Sequence, residues 1–427
     1  MAEYVIGYDL NENVSQISFS EIHEGRLKAV GGDSSDERLG IPTVLCKRNG
    51  VNQWYFGREA VSCAKRGDGT LVGKLLSFAI AGARLEIEGE AYDPIDLLIL
   101  FFKRSLNIIS SYVNPQNVVK LVVTVDHLDI KMIEILEKIV ATVAIDRDNI
   151  VFQTYDESIY YYMIHQDSDL WKNNVMVFDY ANDFLKSYEL WMNRNTSPVV
   201  GFVDYVAYEN IKLPEFMLED ELPGNKEESL DELILNNIRS LFAGRSIGAV
   251  YLIGEGFEGT GFERTKNFLL MGRHVFQGKN LYSKGACYCA SDKYMPKEIN
   301  KSHIFLGKDK LKANTGLKMR VEGKEEYVVL VDAGETWYDS SNTLEFILEE
   351  GNSVEIIVTP LDGGRKRIEE IVLSGLPVRP KRATRLRLET SFESDVLMKV
   401  KITDLGFGEF YASSGRTWEK EIKFSGE

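Results

Sequence analysis

Positive charge is in short supply in this sequence. Its 427 residues carry 50 Lys and Arg against 65 Asp and Glu, a formal net charge of −15. A nucleic-acid partner requires the opposite, a concentrated positive field, so none is expected. Long apolar runs are missing as well. The longest, around Leu97–Phe102, is far shorter than the ~20 residues that span a bilayer, and no membrane role is expected. The chain opens MAEYVIGYDL, already strand-like by residue 4, without the basic start and apolar core of a secretory leader; a cytoplasmic protein is expected. Cysteines number only four, Cys46, Cys63, Cys287 and Cys289. The C-x-C spacing of Cys287 and Cys289 seeds a metal site only where other ligands converge. Small buried hydrophobes are the simpler expectation.

What is present is ample core-forming material. The sequence is 44% hydrophobic and 27% charged, over a length that implies two or three units. Short β-type runs at 4–10 and 14–20 flank a polar turn, Asn11–Asn13, and predict a hairpin without the usual glycine. IPTVLC (41–46) and QWYFG (53–57) continue the strand pattern. Residues 94–113 predict a helix begun by Pro94 and Asp96. KLVVTV (120–125), an amphipathic helix over 128–144 and IVFQTY (150–155) then give the strand–helix–strand order of an α/β crossover. The order restarts with NNVMVFDY (173–180) and FLKSYELWM (184–192), a helix over Leu230–Phe242, and an apolar strand running into a glycine-rich turn, AVYLIGEGFEG (249–259). After about residue 304 short alternating strands predict a small all-β sandwich.

Two aspartates occupy matching places in this order. Asp9 ends the first strand of GYDLNENVSQISF, and Asp179 ends the first strand of VFDYANDFLKSYEL. A carboxylate at a strand end is suited to holding a hydrated divalent cation, and a tight turn can present N–H groups to phosphate. The segment LIGEGFEG adds Gly254, Gly256 and Gly259, positions where a backbone can approach a nucleotide closely. Taken singly, an aspartate before a turn is simply a turn residue.

In order and spacing these segments resemble the actin-like ATPase superfamily, and within it the 70-kilodalton heat-shock chaperones. GYDLNENVSQISF resembles the first phosphate hairpin and VMVFDYANDFLKSYEL the second; LIGEGFEG resembles the adenosine-binding turn, and NLYSKGACYCA the helix closing lobe II. The stretch from GGRKRIEEIVLSG to FGEFY resembles the β-sandwich peptide-binding subdomain. The resemblance implies a ribonuclease H-like fold of two lobes, residues 1–170 and 171–303, followed by a β-sandwich over 304–427. It implies ATP or ADP with Mg²⁺ as the ligand, with Asp9 and Asp179 at the metal and Asn11, Asn182, Gly254, Gly256 and Gly259 around the nucleotide. It places Lys74 where the family contacts the transferred phosphate, and Glu157 where the family orients water. Protein or extended peptide segments are the implied partners.

The departures argue against catalysis. Asn11 and Glu12 replace glycine and small hydroxyl residues in the first hairpin; Ala181, Asn182, Asp183 and Phe184 replace glycines and a threonine in the second. Each added Cβ obstructs the backbone, and a carboxylate about 4 Å from a phosphate costs on the order of 4 kcal/mol at intermediate dielectric. Three alanines of the family become Tyr160, Tyr161 and Tyr162, which must point in different directions on a helix. Only about 75 residues separate Asp179 from Gly254, too few for the subdomain that covers adenine. The expectation is therefore a chaperone-like, protein-binding chain on a degenerate platform. An active Mg-ATPase, or an adaptor whose basic stretch (Arg379, Lys381, Arg382, Arg385, Arg387) meets an acidic partner, are the alternatives.

Overall fold

The computed structural model describes residues 2–30, 40–181, 184–212, 224–258, 261–307, 310–360 and 365–424, with backbone alone for 224–229. They divide into two compact units, Met1–Ile304 and Phe305–Glu427. The first unit begins with β1 (Tyr4–Asp9), β2 (Val14–Glu21), β3 (Leu27–Ala29) and β4 (Ile41–Pro42). A peripheral group follows: β5 (Leu45–Arg48), β6 (Trp54–Phe56), α1 (Gly57–Lys65), β7 (Gly69–Val72), α2 (Leu75–Ala81), β8 (Leu85–Ile87), β9 (Glu90–Tyr92) and α3 (Pro94–Asn107). Then come β10 (Val118–Val125), α4 (Ile130–Val140), β11 (Ile150–Thr154) and α5 (Tyr155–Ile164). The second half of the unit runs β12 (Asn174–Asp179), β13 (Phe184–Asn193), β14 (Val199–Lys212), α6 (Gly224–Ile238), β15 (Ile247–Ile253), α7 (Glu263–Leu269), β16 (His274–Gln277) and α8 (Leu281–Tyr294). The helix α9 (Glu298–Ser302) and strand β17 (His303–Phe305) end it.

The two halves repeat one strand order. The first sheet reads β11–β10–β1–β2–β3, and the second contains β16–β15–β12–β13–β14. In each, the central strand is parallel to a crossover strand on one side and antiparallel to its hairpin partner on the other. Strands β1, β10, β12 and β15 are continuously apolar because both faces are covered, as Val5, Ile6, Leu121, Val122, Val175, Val177 and Val250 are fully buried.

Local chemistry sets several boundaries differently from the sequence reading. The hairpin turn dispenses with glycine because the Asn11 side chain folds back: its Oδ1 accepts from Asn13 N at 2.9 Å and Val14 N at 3.3 Å. Asp93, one residue before Pro94, caps α3 by accepting from Ile95 N at 2.8 Å, and α3 ends at Asn107 rather than 113. Asp129 caps α4 through Met132 N at 2.7 Å, which trims the expected helix to Ile130–Val140. Most consequentially, Tyr155 does not end the strand β11. It opens α5, whose first turn carries Asp156 and Glu157 next to the positive end of the helix dipole.

Helices α5 and α8 cross at contact distance. A Cβ on Gly285 would lie 1.9 Å from Ser158 O of α5, and a Cβ on Gly7 of β1 would lie 2.1 Å from Ser283 O and 2.3 Å from Cys287 N of α8. Cys287 and Cys289 pack with Ala286 and Ala290 against Val5 and Val122, so the C-x-C pair is core. All four cysteines are buried free thiols.

The second unit is all β: β18 (Ala313–Val321), β19 (Lys324–Val331), β20 (Asn342–Leu348), β21 (Ser353–Pro360), β22 (Arg367–Val372), β23 (Thr384–Ser394), β24 (Leu397–Gly406) and β25 (Thr417–Lys423). They form two four-stranded sheets, β19–β18–β21–β22 and β20–β23–β24–β25, that meet where Thr315 Oγ1 lies 3.9 Å from Met398 Sδ. Each cation of the basic stretch finds a carboxylate within the unit. Arg379 grips buried Asp404 with two bonds of 2.7 and 2.8 Å, Arg382 pairs with Glu349, Lys381 with Glu350, and Arg385 and Arg387 with Glu345. Among the described residues no helix is long and apolar enough to cross a membrane.

The glycine contacts set a test of the helix crossing. Gly285→Ala is expected to lower stability by on the order of 3 kcal/mol, because the methyl meets backbone that cannot swing away. Chemical denaturation followed by tryptophan fluorescence measures it; an unchanged midpoint would mean that the crossing is looser than drawn.

Candidate functional site

The strand repeat brings the two aspartates together. Asp9 ends β1 between Gln16 of β2 and Thr124 of β10; Asp179 ends β12 between Lys186 of β13 and Ile253 of β15. Both are buried, 3% and 6% exposed, so each carboxylate needs a donor from the protein. Each receives one from a tyrosine at the start of a helix. Tyr155 OH donates to Asp9 Oδ1 at 2.8 Å, and Tyr282 OH donates to Asp179 Oδ2 at 2.7 Å. The two rings stack on each other, centroids 3.7 Å apart and 7° from parallel. Asn11 Nδ2 donates to Tyr155 OH at 2.9 Å, extending the network into the first hairpin. The result is one continuous chain of contacts, Asp9–Tyr155–Tyr282–Asp179.

The electrostatics follow from burial. Desolvation holds the Asp9 carboxyl well above its usual range, against the Tyr155 hydrogen bond and with the help of the Asp179 and Asp126 charges. Desolvation likewise raises Asp179 to about 6, although Tyr282 and the Lys186 ammonium pull it down. Burial pushes the phenols of Tyr155 and Tyr282 well above their usual range, so both keep their protons and remain donors. Lys186 Nζ lies 2.9 Å from Asp126 Oδ2, and only 13% of its side chain is exposed. Asp126 follows β10 of the first sheet, so this ion pair links the two halves beside the tyrosine stack.

The other residues singled out in the sequence fall into place differently. Gly254, at φ +92°, and Gly256 are close to backbone, but to Tyr180: added Cβ atoms would lie 2.5 Å from Tyr180 C and 2.3 Å from its ring. Tyr180 N donates to Ile253 O at 2.9 Å and Gly256 N donates to Tyr180 O at 2.8 Å, so this turn grips the residue after Asp179. Glu12 accepts from Ser77 N at 3.1 Å, in the first turn of α2, so its carboxylate is engaged at a helix start. Lys74, the residue before that helix, is exposed and left-handed at φ 54°. Glu157 is buried on α5; behind burial and the Asp292 charge, its own charge helps push the Tyr160 hydroxyl up. Tyr160 lies over Gly201, whose Cβ would meet its ring at 2.7 Å, and Tyr162 meets Tyr251 edge-on. Asn182 and Gly259, like Asp183, lie outside the described residues.

Sequence reasoning missed Tyr155, Tyr282, Lys186 and Asp126. A signal for the tyrosines exists: QTYDES and NLYSKG each place a tyrosine where a helix opens after the last strand of a half. Among the described residues no three His, Cys, Asp or Glu side chains converge as metal ligands. Each tyrosine hydroxyl occupies one oxygen of its aspartate, Asp9 Oδ1 and Asp179 Oδ2, and so competes with a cation or its waters for part of each carboxylate.

Fold and site together define a class: a mixed α/β unit with one strand order used twice and two aspartates clasped by stacked tyrosines, followed by an all-β unit. The chain belongs to the family of unknown function (DUF5716) C-terminal, which matches residues 28–308. Residues 310–424 match the domain of unknown function DUF8552. No curated protein matches the chain. The family match takes in Tyr155, Asp179 and Tyr282, whereas Asp9 and Asn11 precede it.

The raised Asp179 fixes a pH dependence. Its folded value lies above its unfolded value of 3.8, so the proton is held more tightly in the folded chain, and stability is lost as pH rises through about 6. Asp179→Asn removes the penalty. The variant and the parent should be equally stable near pH 4, and the variant more stable by on the order of 2–3 kcal/mol at pH 7. Urea unfolding across this pH window measures the difference; a gap of constant size would refute the assignment.

Proposed function

We propose that this chain is a chaperone-like, protein-binding protein built on a degenerate, non-hydrolysing version of the two-lobed actin-like ATPase platform. One observation carries the reading: the same strand order occurs twice, each time ending its central strand in an aspartate, and both aspartates are bonded to tyrosines. The repeat supports descent from a two-lobed nucleotide-binding architecture. The tyrosines support loss of the ligand, since a phosphate-cradling site works through bare turns and a hydrated cation.

The all-β unit supports recognition of extended segments. The ladder between β18 and β21 covers Ala313–Gly316 alone among the described residues, while β18 continues to Val321 paired with β19. Leu317–Val321 therefore presents a free half-edge, the geometry by which an added strand gains main-chain hydrogen bonds. Arg320 on that half-edge pairs with Glu349 in the turn before β21 at 3.2 Å, both side chains about half exposed. Partners of this kind are extended, partly apolar protein segments. The tyrosine-bonded aspartates favour equally an adaptor that uses no nucleotide, and binding of unfolded protein separates the two.

Two titrations of the full chain test the reading. Calorimetry with Mg-ATP should give no binding heat up to about 1 mM, the weak end of nucleotide affinity. A fluorescent, reduced and carboxymethylated polypeptide should bind saturably, and Val321→Lys with Met319→Pro should weaken that binding by on the order of tenfold by spoiling the half-edge. Turnover of ATP, or no saturable binding of the unfolded polypeptide, would reject it.

A further inference from the structure

We propose that the junction between the two repeated halves is self-liganded, with Tyr155 and Tyr282 supplying hydrogen-bond donors to Asp9 and Asp179, and Lys186 supplying beside Asp126 and Asp179 the positive charge that an external cation would bring. The inference rests on geometry alone and stands whether or not the all-β unit binds protein.

Three features of that geometry converge. First, the arrangement has an internal two-fold logic. Each aspartate ends the central strand of its sheet, and each tyrosine opens the helix that follows the last strand of its half. Tyr155 begins α5, and Tyr282 is the second residue of α8. The rings meet where the two halves meet, so neither tyrosine can leave without unstacking the other. Second, the hydroxyls are donors of the right number. One O–H reaches each carboxylate, at 2.8 and 2.7 Å, and Asn11 Nδ2 satisfies the remaining acceptor position on Tyr155.

Third, a cation is built in. Lys186 stands directly across the β12–β13 ladder from Asp179, reaches Asp126 at 2.9 Å, and has its ammonium 5.6 Å from the Phe184 ring centre. The ammonium therefore pairs with Asp126 and stands near enough to Asp179 for its charge to pull that carboxyl down. A lysine brings a compact point charge on a flexible stem. Asp126 and Lys186 belong to different sheets, so the internal cation also ties the halves together.

If Lys186 is the resident cation, the wild-type chain has no use for an external one. Its melting temperature should not move with Mn²⁺ at about 5 mM, above the range of weak protein carboxylate sites. Lys186→Met removes the charge and keeps the stem. Amide exchange at the ends of β1, β10 and β12 should then rise by on the order of tenfold, and Mn²⁺ should reverse that rise. Lys186→Arg keeps the charge and should exchange like the parent. Tyr155→Phe with Tyr282→Phe keeps the stack and should raise exchange at the first turns of α5 and α8. A Mn²⁺-dependent melting shift in the wild type would overturn the proposal, and so would a Lys186→Met chain whose exchange ignores Mn²⁺. The wild-type arm decides the question even if a variant fails to fold.

Discussion

A carboxylate placed at the end of a fully buried central strand must be given a donor, and this constraint organises the first unit. Asp9 and Asp179 stand at such ends, 3% and 6% exposed. Left without partners, each would carry a desolvation penalty large enough to push the chain toward another arrangement. The partners arrive from the starts of α5 and α8, and bringing those two helix starts to one place forces the helices to cross closely. Gly285 permits the crossing and Gly7 lets α8 lie against β1, with no room for a methyl at either. Hydrogen bonding at the strand ends thus reaches through helix packing to the choice of glycine in the middle of α8.

The same constraint explains the character of the cleft. Phosphate sites keep hairpin turns bare so that N–H groups can face a ligand. Here the first hairpin is closed by its own Asn11 side chain, Glu12 is committed to the start of α2, and the LIGEGFEG turn closes upon Tyr180. Side chains that a ligand site would aim outward are aimed at neighbours. The two tyrosines add about 0.5–1.5 kcal/mol of ring stacking beyond their burial, and their hydroxyls offset part of the cost of burying the two carboxyls. In the second unit the buried Arg379–Asp404 pair, itself bidentate, likewise turns one side chain of the basic stretch inward.

Much of the fold was legible because period and order are local properties. The apolar runs at 120–125 and 249–253 mark buried parallel strands, the hairpins appear at 4–20 and 173–192, and the alternation after 304 reads as β. The aspartates were visible for the same reason, as matching strand ends. What remained hidden depended on three dimensions. Tyr155 looked like the last residue of a strand, and only its position above Asp9 reveals it as a donor. Tyr282 lay in a segment of no chemical distinction, 127 residues away in the chain. Lys186 was one lysine among many until register set it across from Asp179. The run Tyr160–Tyr162, conspicuous in sequence, reads there as packing, and in the fold Tyr160 is buried while Tyr162 meets Tyr251 edge-on. Gly254 and Gly256 of LIGEGFEG are places of close approach, and what approaches them is Tyr180.

The most direct test is a crystal structure grown with millimolar Mg-ATP. With a self-liganded cleft, the Tyr155 and Tyr282 rings will remain stacked, both hydroxyls will still bond to Asp9 and Asp179, and no nucleotide will lie between the halves. Tyrosines swung aside, with a triphosphate and metal seated on the two aspartates, would contradict it.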